Sequence, residues 1–181
     1  MNGLGAQLWG IIETIVRGIF GVAFKIFKID FTEEQWDGLL QFVKFGLVGV
    51  WNTVFSYLIT LGCLELCLRM GILSQELLGT PARVFVANVI AWIISVFVSF
   101  LLNDHFVFKV EEEQKRSFWK SLLKCYVSYG FTGLFLNNVL AMLWVGVLGV
   151  PEKIAPLISL VVAIPINFFM NKLWAFKTEK N

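Results

Sequence analysis

Four apolar blocks that hold no charged residue dominate this sequence and constrain what it folds into. They cover residues 45–64, 84–102, 125–148 and 154–170. A helix needs about 20 apolar residues to cross the roughly 30 Å hydrocarbon layer of a membrane, and each block comes near that length. Only 15% of the 181 residues are charged, against about 25% in a soluble domain. We therefore exclude a water-soluble globule and predict an all-α membrane protein with four transmembrane helices.

Helix-end signals flank these blocks. Thr32 and Gln35 have the spacing of a capping box at the start of the first membrane-crossing helix. Thr80 stands as an N-cap in front of Pro81, and proline is favoured in a first helical turn. Gly149, just after the third block, is typical of a helix C-terminus.

Residues 1–31 carry a different pattern, with apolar residues every three or four positions and charged residues between them. The apolar positions are Leu4, Leu8, Ile11, Ile15, Ile19, Val22 and Ile26. The charged positions are Glu13, Arg17, Lys25 and Lys28. This pattern predicts an N-terminal amphipathic helix that lies in the membrane interface. A signal peptide is disfavoured because no basic segment precedes the apolar stretch, and a fifth inserted segment is the weaker alternative.

The distribution of basic residues predicts the orientation. An even number of crossings places both termini on one side, and that side collects twelve Lys and Arg residues against three opposite. The twelve are Arg17, Lys25, Lys28, Lys44, Lys109, Lys115, Arg116, Lys120, Lys124, Lys172, Lys177 and Lys180. The three are Arg69, Arg83 and Lys153. The positive-inside rule then predicts cytoplasmic N and C termini.

An internal repeat organises the chain. Residues 42–49, FVKFGLVG, align at an offset of 84 with residues 126–133, YVSYGFTG. Residues 99–109, SFLLNDHFVFK, align at an offset of 68 with residues 167–177, NFFMNKLWAFK. We predict two parallel two-helix repeats, about 39–109 and 122–177, within a membrane domain covering 32–177, with a tail at 178–181. Because each repeat crosses twice, the two have the same sidedness and are expected to be related by an axis along the membrane normal.

Small residues and amides follow the repeat. Stripes at four-residue spacing are Ala87, Ala91, Ser95, Ser99 and Asn103 in the second block and Ala155, Ser159, Ala163, Asn167 and Asn171 in the fourth. A similar seam in the first block is Gly46, Gly49, Thr53, Ser56 and Thr60. Small residues let membrane helices approach closely, so packing explains most of these positions.

Six asparagines in the apolar blocks or directly after them admit two interpretations. Asn52, Asn137, Asn138 and Asn167 lie within blocks, and Asn103 and Asn171 directly follow the second and fourth blocks. An amide in hydrocarbon is costly unless it is hydrogen-bonded. Interhelical hydrogen bonds account for such groups, and so does a polar path for a hydroxylated or anionic molecule.

The second and fourth blocks end in the same motif, an asparagine followed by two aromatic residues and a lysine. Asn103 precedes Lys109 in the first copy, and Asn171 precedes Trp174 and Lys177 in the second. Aromatic rings and lysines are ordinary residents of the membrane interface. The functional alternative is that lysines and amides receive a lipid phosphate while the aromatic rings contact a prenyl chain or a sugar.

The four blocks, the FVKFG opening with Asn52, and the twice-used Asn-x-x-aromatic-x-Phe-Lys endings resemble the GtrA-like family of bacterial membrane proteins. The resemblance covers about residues 39–177. It implies translocation of polyprenyl-phosphate-linked sugars across the bacterial cytoplasmic (inner) membrane, for glycosylation of cell-wall or surface polysaccharides. Asp104 and His105 depart from the family pattern, which often has a basic or neutral residue there.

If this function holds, certain cations become candidate phosphate ligands. Lys44, Lys109, Lys172 and Lys177 lie at the inner mouth, where snorkelling lets them reach water. Arg83, at the outer start of the second block, is the candidate receiver on the far side. The amides and Trp174 then contact the sugar and the phosphate during passage.

Other function classes are less favoured. One histidine and three aspartates offer neither a metal-binding pair nor a catalytic triad, so we expect no enzyme, metal or cofactor, and the net charge of +2 does not suggest nucleic acid. A membrane anchor or partner of a glycosyltransferase remains an alternative. A proton-coupled exporter is the last alternative, because the four blocks contain no acid. Four helices fill their own interior, so a homo-oligomer surrounded by membrane lipids is also expected.

Overall fold

The structure is a computed structural model that describes residues 4–28, 30–77, 79–109 and 116–178, with side chains from residue 9 onward. The chain divides into two compact units between Lys44 and Phe45. Some residues used above lie outside this described part. They are the side chains of Leu4 and Leu8, the residues Lys115 and Lys180, and the tail beyond residue 178.

The first unit contains helix α1, Leu4–Ile26, and the start of helix α2, Glu33–Met70. The backbone N–H of Thr32 donates to Gln35 Oε1 at 2.9 Å, and the N–H of Gln35 donates to Thr32 Oγ1 at 3.3 Å. These reciprocal bonds satisfy two N–H groups at the start of α2. The predicted capping box is confirmed.

Arg17 connects the two helices of this first unit. Its guanidinium donates to Glu13 Oε1 and to Glu33 Oε2, both at 3.1 Å. The hydrogen bond to Glu33 is the main reason that the pKa of Arg17 is raised above its ordinary value. Away from these contacts, α1 exposes an apolar face made of Ile11, Ile15, Ile19, Val22 and Ile26. Such a face suits a membrane interface, and the interfacial position of α1 stays a prediction.

Four helices within the described residues are long and apolar enough to cross a membrane. They are Glu33–Met70, Ala82–Val107, Phe118–Val147 and Ala155–Ala175, called spans one to four from here on. Each extends beyond its uncharged block at one end or at both, into charged and aromatic residues, which are the types enriched at membrane interfaces. The prediction of an all-α membrane protein with four transmembrane helices is confirmed.

Each of the last three spans mixes α-helical and π-helical segments. Span two is α3, Ala82–Leu102, followed by a π-helical segment, Asn103–Val107. Span three is α4, Phe118–Gly130, a π segment, Phe131–Leu136, α5, Asn137–Ala141, and a π segment, Met142–Val147. Span four is α6, Ala155–Met170, followed by a π segment, Asn171–Ala175. Spans two and four therefore end alike.

The connections between spans one and two and between spans three and four are short. Between spans one and two, strands β1, Glu76–Leu77, and β2, Thr80–Pro81, pair antiparallel. The predicted N-cap at Thr80 is wrong, because Thr80 belongs to this hairpin and α3 begins only at Ala82, whose N–H donates to Gln75 O at 2.8 Å. After span three, Gly149 has a φ of 64°, and Val150 N–H donates to Trp144 O at 2.8 Å. A left-handed glycine closes a helix in this way, so the predicted end of span three is confirmed.

Packing in the second unit follows the small-residue stripes. Span three contacts both span two and span four. The buried small residues are Ala87, Ala91, Ser95 and Ser99 in span two and Ala155, Ser159 and Ala163 in span four. Their burial supports the interpretation of these two stripes as helix-packing surfaces.

Phenylalanines at the ends of spans two and four contact one another reciprocally. Phe100 stacks on Phe176 at 5.5 Å, and their counterparts at the offset of 68, Phe168 and Phe108, lie 5.9 Å apart. Phe108 and Phe176, which are counterparts of each other, stack at 4.7 Å. Reciprocal contacts are typical of two similar units related by a two-fold axis. The direction of such an axis relative to the membrane stays a prediction.

Candidate functional site

A cavity of about 370 Å³ lies among spans one, three and four. Span one contributes Phe45, Gly46, Gly49, Val50, Asn52 and Thr53. Span three contributes Tyr129 and Thr132, and span four contributes Leu160, Ala163, Ile164 and Asn167. The volume falls within the range of small-molecule sites, which runs from about 300 to 1,000 Å³. We call this space the amide cavity, after Asn52 and Asn167.

Two glycines of span one, Gly46 and Gly49, line this cavity. A Cβ atom added to Gly46 or Gly49 would meet no other heavy atom within 4 Å. These positions therefore do not mark a close approach of two helix backbones. Within this chain Gly46 and Gly49 border the cavity, and packing along the whole seam Gly46, Gly49, Thr53, Ser56 and Thr60 stays a prediction.

The polar atoms of the cavity wall include several hydrogen-bond acceptors. Asn52 Oδ1 is buried and has no hydrogen-bond partner. The hydroxyl of Thr53 donates to Gly49 O at 3.0 Å, and that of Thr132 donates to Ser128 O at 2.9 Å. Both hydroxyl hydrogens point at the backbone, which leaves the lone pairs of the two oxygens as acceptors.

Two side-chain hydrogen-bond chains connect the cavity wall to the buried endings of spans two and four. In span four, Asn171 Nδ2 donates to Asn167 Oδ1 at 3.0 Å. In span two, Asn103 Nδ2 donates to Ser99 Oγ at 3.3 Å, and Ser99 shares a hydrogen bond with Tyr129 at 2.9 Å. Ser99 and Asn103 align with Asn167 and Asn171 in the repeat, so the same i, i+4 link is used twice.

The asparagines at the two endings are the first residues of the π-helical segments. Asn103 and Asn171 are both fully buried. Phe108 N–H donates to Asn103 O at 2.7 Å, and Phe176 N–H donates to Asn171 O at 2.8 Å. These five-residue steps are the π-helical bonds themselves, and π segments are frequent at functional sites. The side-chain Oδ1 atoms of both asparagines are buried without a partner.

Arg116 forms hydrogen bonds to both of these endings, although it was not one of the predicted site residues. Its side chain is only 5% exposed and is paired with Asp104. It also donates to Phe108 O and to Phe176 O, each at 2.9 Å. A guanidinium has five donors in a fixed fork, which lets one residue hold both repeat endings. The departure of Asp104 from the family pattern is explained by this pair.

The lysines predicted at the inner mouth have different surroundings in the structure. Lys172 Nζ lies 5.6 Å from the centroid of the Phe168 ring. Lys109 and Lys177, which follow the two aromatic endings, are exposed. Trp174 O accepts a hydrogen bond from Lys124 Nζ at 3.3 Å. Lys44 belongs to the first unit, where its Nζ lies 4.0 Å from the Trp9 ring centroid.

Asn137 and Arg83, two further predicted site residues, also lie outside the cavity wall. Asn137 is exposed, at the start of α5. Arg83 lies beside the short hairpin, and its N–H donates to Leu73 O at 3.0 Å. Of the five amides predicted as site residues, Asn52 and Asn167 both line the cavity, whereas Asn103 and Asn171 do not.

Titratable side chains do not cluster around the amide cavity. Within the described ranges, no group of three or more His, Cys, Asp and Glu side chains is arranged to hold a metal ion. The cavity wall itself consists of aliphatic, aromatic, hydroxyl and amide groups. The polar side-chain groups of this wall are hydroxyls and amides.

The apolar helices define this chain as a multi-pass α-helical membrane protein. Residues 44–176 match the family described as GtrA/DPMS, transmembrane domain, and the chain belongs to that family. The resemblance drawn from the motifs is thereby confirmed. No curated protein and no solved structure matches the chain.

Proposed function

We propose that this protein translocates a polyprenyl-phosphate-linked monosaccharide across the bacterial cytoplasmic membrane. The translocated lipid-linked sugar is then used to glycosylate a cell-wall or surface polysaccharide. The family is involved in translocation or glycosylation with polyprenyl-phosphate sugars, and the chain contributes binding surfaces rather than a catalytic set. The protein is therefore a transporter and not an enzyme in this proposal.

One observation carries the proposal, namely the amide cavity in the second unit. Asn52 lines a space of about 370 Å³, and its amide oxygen Oδ1 is buried without a hydrogen-bond partner. Buried polar groups in proteins are nearly always hydrogen-bonded, so this wall is suited to a polar guest. A sugar head group supplies hydroxyls that both donate and accept hydrogen bonds.

The phosphate needs a different environment from the sugar. Lys109 and Lys177 follow spans two and four, Lys172 lies in the last segment of span four, and Lys44 lies at the end of the first unit. Ammonium groups near the interface attract lipid phosphates. We propose that these lysines capture the phosphate on the cytoplasmic side and that Arg83 receives it on the opposite side.

The orientation and the partners belong to the same proposal. We place both termini in the cytoplasm, as the count of basic residues predicts. A homo-oligomer in the membrane also remains proposed, although the amide cavity lies within a single chain and a single chain thus offers space for a head group. Mass measurement in native-like lipid tests the oligomer, and a monomer with full transport activity contradicts it.

A reconstituted flipping assay tests the function. Purified protein in vesicles is given a polyprenyl-phosphate hexose in the outer leaflet, and its movement is followed by a membrane-impermeant chemical reaction on the sugar. We expect faster movement than in vesicles without protein. Equal rates, together with co-purification of an active glycosyltransferase, support the membrane-anchor alternative instead and contradict the proposal.

A further inference from the structure

The hydrogen-bonding groups of the amide cavity restrict the chemistry of its guest. The hydroxyl oxygens of Thr53 and Thr132 offer acceptors, since both hydroxyl hydrogens are already used by the backbone, and Asn52 Oδ1 is buried without a partner. The amide nitrogens of Asn52 and Asn167 offer donors. A guest that both donates and accepts hydrogen bonds matches such a wall, whereas a guest with acceptors alone leaves the wall acceptors unpaired.

Charge restricts the guest further. Among the described residues that line the cavity, none is Asp, Glu, Lys, Arg or His. Moving an ionised group from water into such a space is costly unless an opposite charge pairs with it. A phosphate or a carboxylate placed here lacks a cation, and an ammonium group lacks a carboxylate.

The neighbouring charged residues do not remove this restriction. Arg116 is 5% exposed and is already paired with Asp104. Lys172 lies five residues beyond Asn167, about 7.5 Å along a helix with a rise of 1.5 Å per residue, and its Nζ is placed against the Phe168 ring. The charges of this unit therefore stand at the ends of the spans and outside the cavity wall.

We propose that the amide cavity is a specificity site that admits an uncharged, hydroxyl-bearing sugar and excludes both the lipid phosphate and charged sugars such as hexuronic acids. The inference rests on the proposed function. It adds that sugar and phosphate are bound by different parts of the protein. Asn52, Thr53 and Thr132 are the residues that distinguish one head group from another.

The first experiment compares two lipids in the flipping assay, a polyprenyl-phosphate hexose and the matching polyprenyl-phosphate hexuronic acid. We expect the wild-type protein to move the hexose at least about tenfold faster, since tenfold corresponds to only about 1.4 kcal/mol and an unpaired buried charge costs more than that. Equal rates for the two lipids overturn the specificity inference while leaving the proposed function intact. Movement of neither lipid above empty vesicles contradicts the proposed function.

Variants locate the specificity in the cavity. We expect Asn52→Leu and Thr53→Val each to slow hexose movement about two- to tenfold, the effect of one uncharged hydrogen bond. Thr60→Val is the matched control, because Thr60 lies on the same helix but does not line the cavity. Unchanged rates for both cavity variants, or an equal loss in the control, overturn the assignment of these residues.

A binding measurement decides the inference without transport. The protein in lipid nanodiscs is heated with an alkyl hexoside or with the corresponding alkyl hexuronide at neutral pH. We expect the hexoside to raise Tm, the hexuronide to leave it unchanged, and Asn52→Leu to abolish the shift. Equal shifts from both compounds, or none from either, overturn the inference.

Discussion

The guanidinium of Arg116 is paired with the carboxylate of Asp104 and at the same time donates to the carbonyls of Phe108 and Phe176. Arg116 precedes span three, whereas Asp104 lies near the end of span two, and Phe108 and Phe176 directly follow spans two and four. The arginine also lies 5.0 Å from the centroid of the Phe176 ring. A single residue thus connects the two copies of the repeated ending.

We expect Arg116→Met to lower the free energy of unfolding by about 2 kcal/mol, because hydrogen bonds of charged groups contribute about 1.5–3 kcal/mol each and Asp104 remains partly solvated. Thermal unfolding in detergent measures the change. Arg69→Met is the matched control, since Arg69 and Glu65 form an exposed pair at 2.7 Å. Exposed pairs contribute about 0–1 kcal/mol. Equal losses in the two variants contradict the role assigned to Arg116.

Gly49→Leu tests whether the seam of span one encloses space. No heavy atom lies within 4 Å of an added Cβ at Gly49, which lines the amide cavity, so we expect a leucine there to extend into the cavity. We expect lipid-linked sugar movement to fall by at least about tenfold, with unfolding free energy unchanged or raised by up to about 1 kcal/mol through helix propensity. Gly62→Leu, on the same helix away from the cavity, should leave transport unchanged. A destabilised Gly49→Leu protein points to close packing instead.

The bond between Asn171 and Asn167 predicts coupled effects of their substitution. Asn171 Nδ2 donates to both the backbone and the side-chain oxygen of Asn167, at 2.8 and 3.0 Å. In a double-mutant cycle with alanine, we expect a coupling of about 0.6 kcal/mol in unfolding free energy, typical of hydrogen bonds between membrane helical side chains. Transport rates should be non-additive in the same cycle. Additive effects on both quantities show that Asn171 does not orient Asn167.

Lys172 tests the capture of the phosphate at the end of span four. We expect Lys172→Ala to raise the apparent KM for a polyprenyl-phosphate hexose several-fold, and Lys172→Arg to have a smaller effect because it keeps the positive charge. Initial rates at varied lipid concentration measure both variants. Lys153→Ala, in the connection between spans three and four, is the control. If Lys172→Ala changes only Tm, its contact with the Phe168 ring is structural.

Much of the fold was predictable because its determinants are local in the sequence. The capping bonds of Thr32 and Gln35 depend on residues three positions apart, and the turn at Gly149 depends on one residue that tolerates a left-handed conformation. Thr80 shows the limit of such reasoning. Its N-cap signal was overridden by pairing with Leu77 in the hairpin, a contact that the helix-end pattern does not encode.

The candidate site was predictable only in part. Asn52 and Asn167 stood out because amides are rare and costly in apolar helices. Tyr129 and Thr132 did not, since both have ordinary places in a membrane helix and acquire meaning only beside the cavity. Arg116 resembled one charge of a solvated loop until the structure placed its side chain against both repeat endings.

The sequence by itself determined the number of membrane-crossing helices, the repeated endings and the family, because length, apolar content and motif spacing are properties of the chain alone. The tertiary structure decided how the small residues are used. The stripes of spans two and four meet neighbouring helices, whereas Gly46 and Gly49 meet open space. Small residues thus line a packed surface in one place and a cavity in another, and the difference depends on where the other helices lie, which no local pattern records.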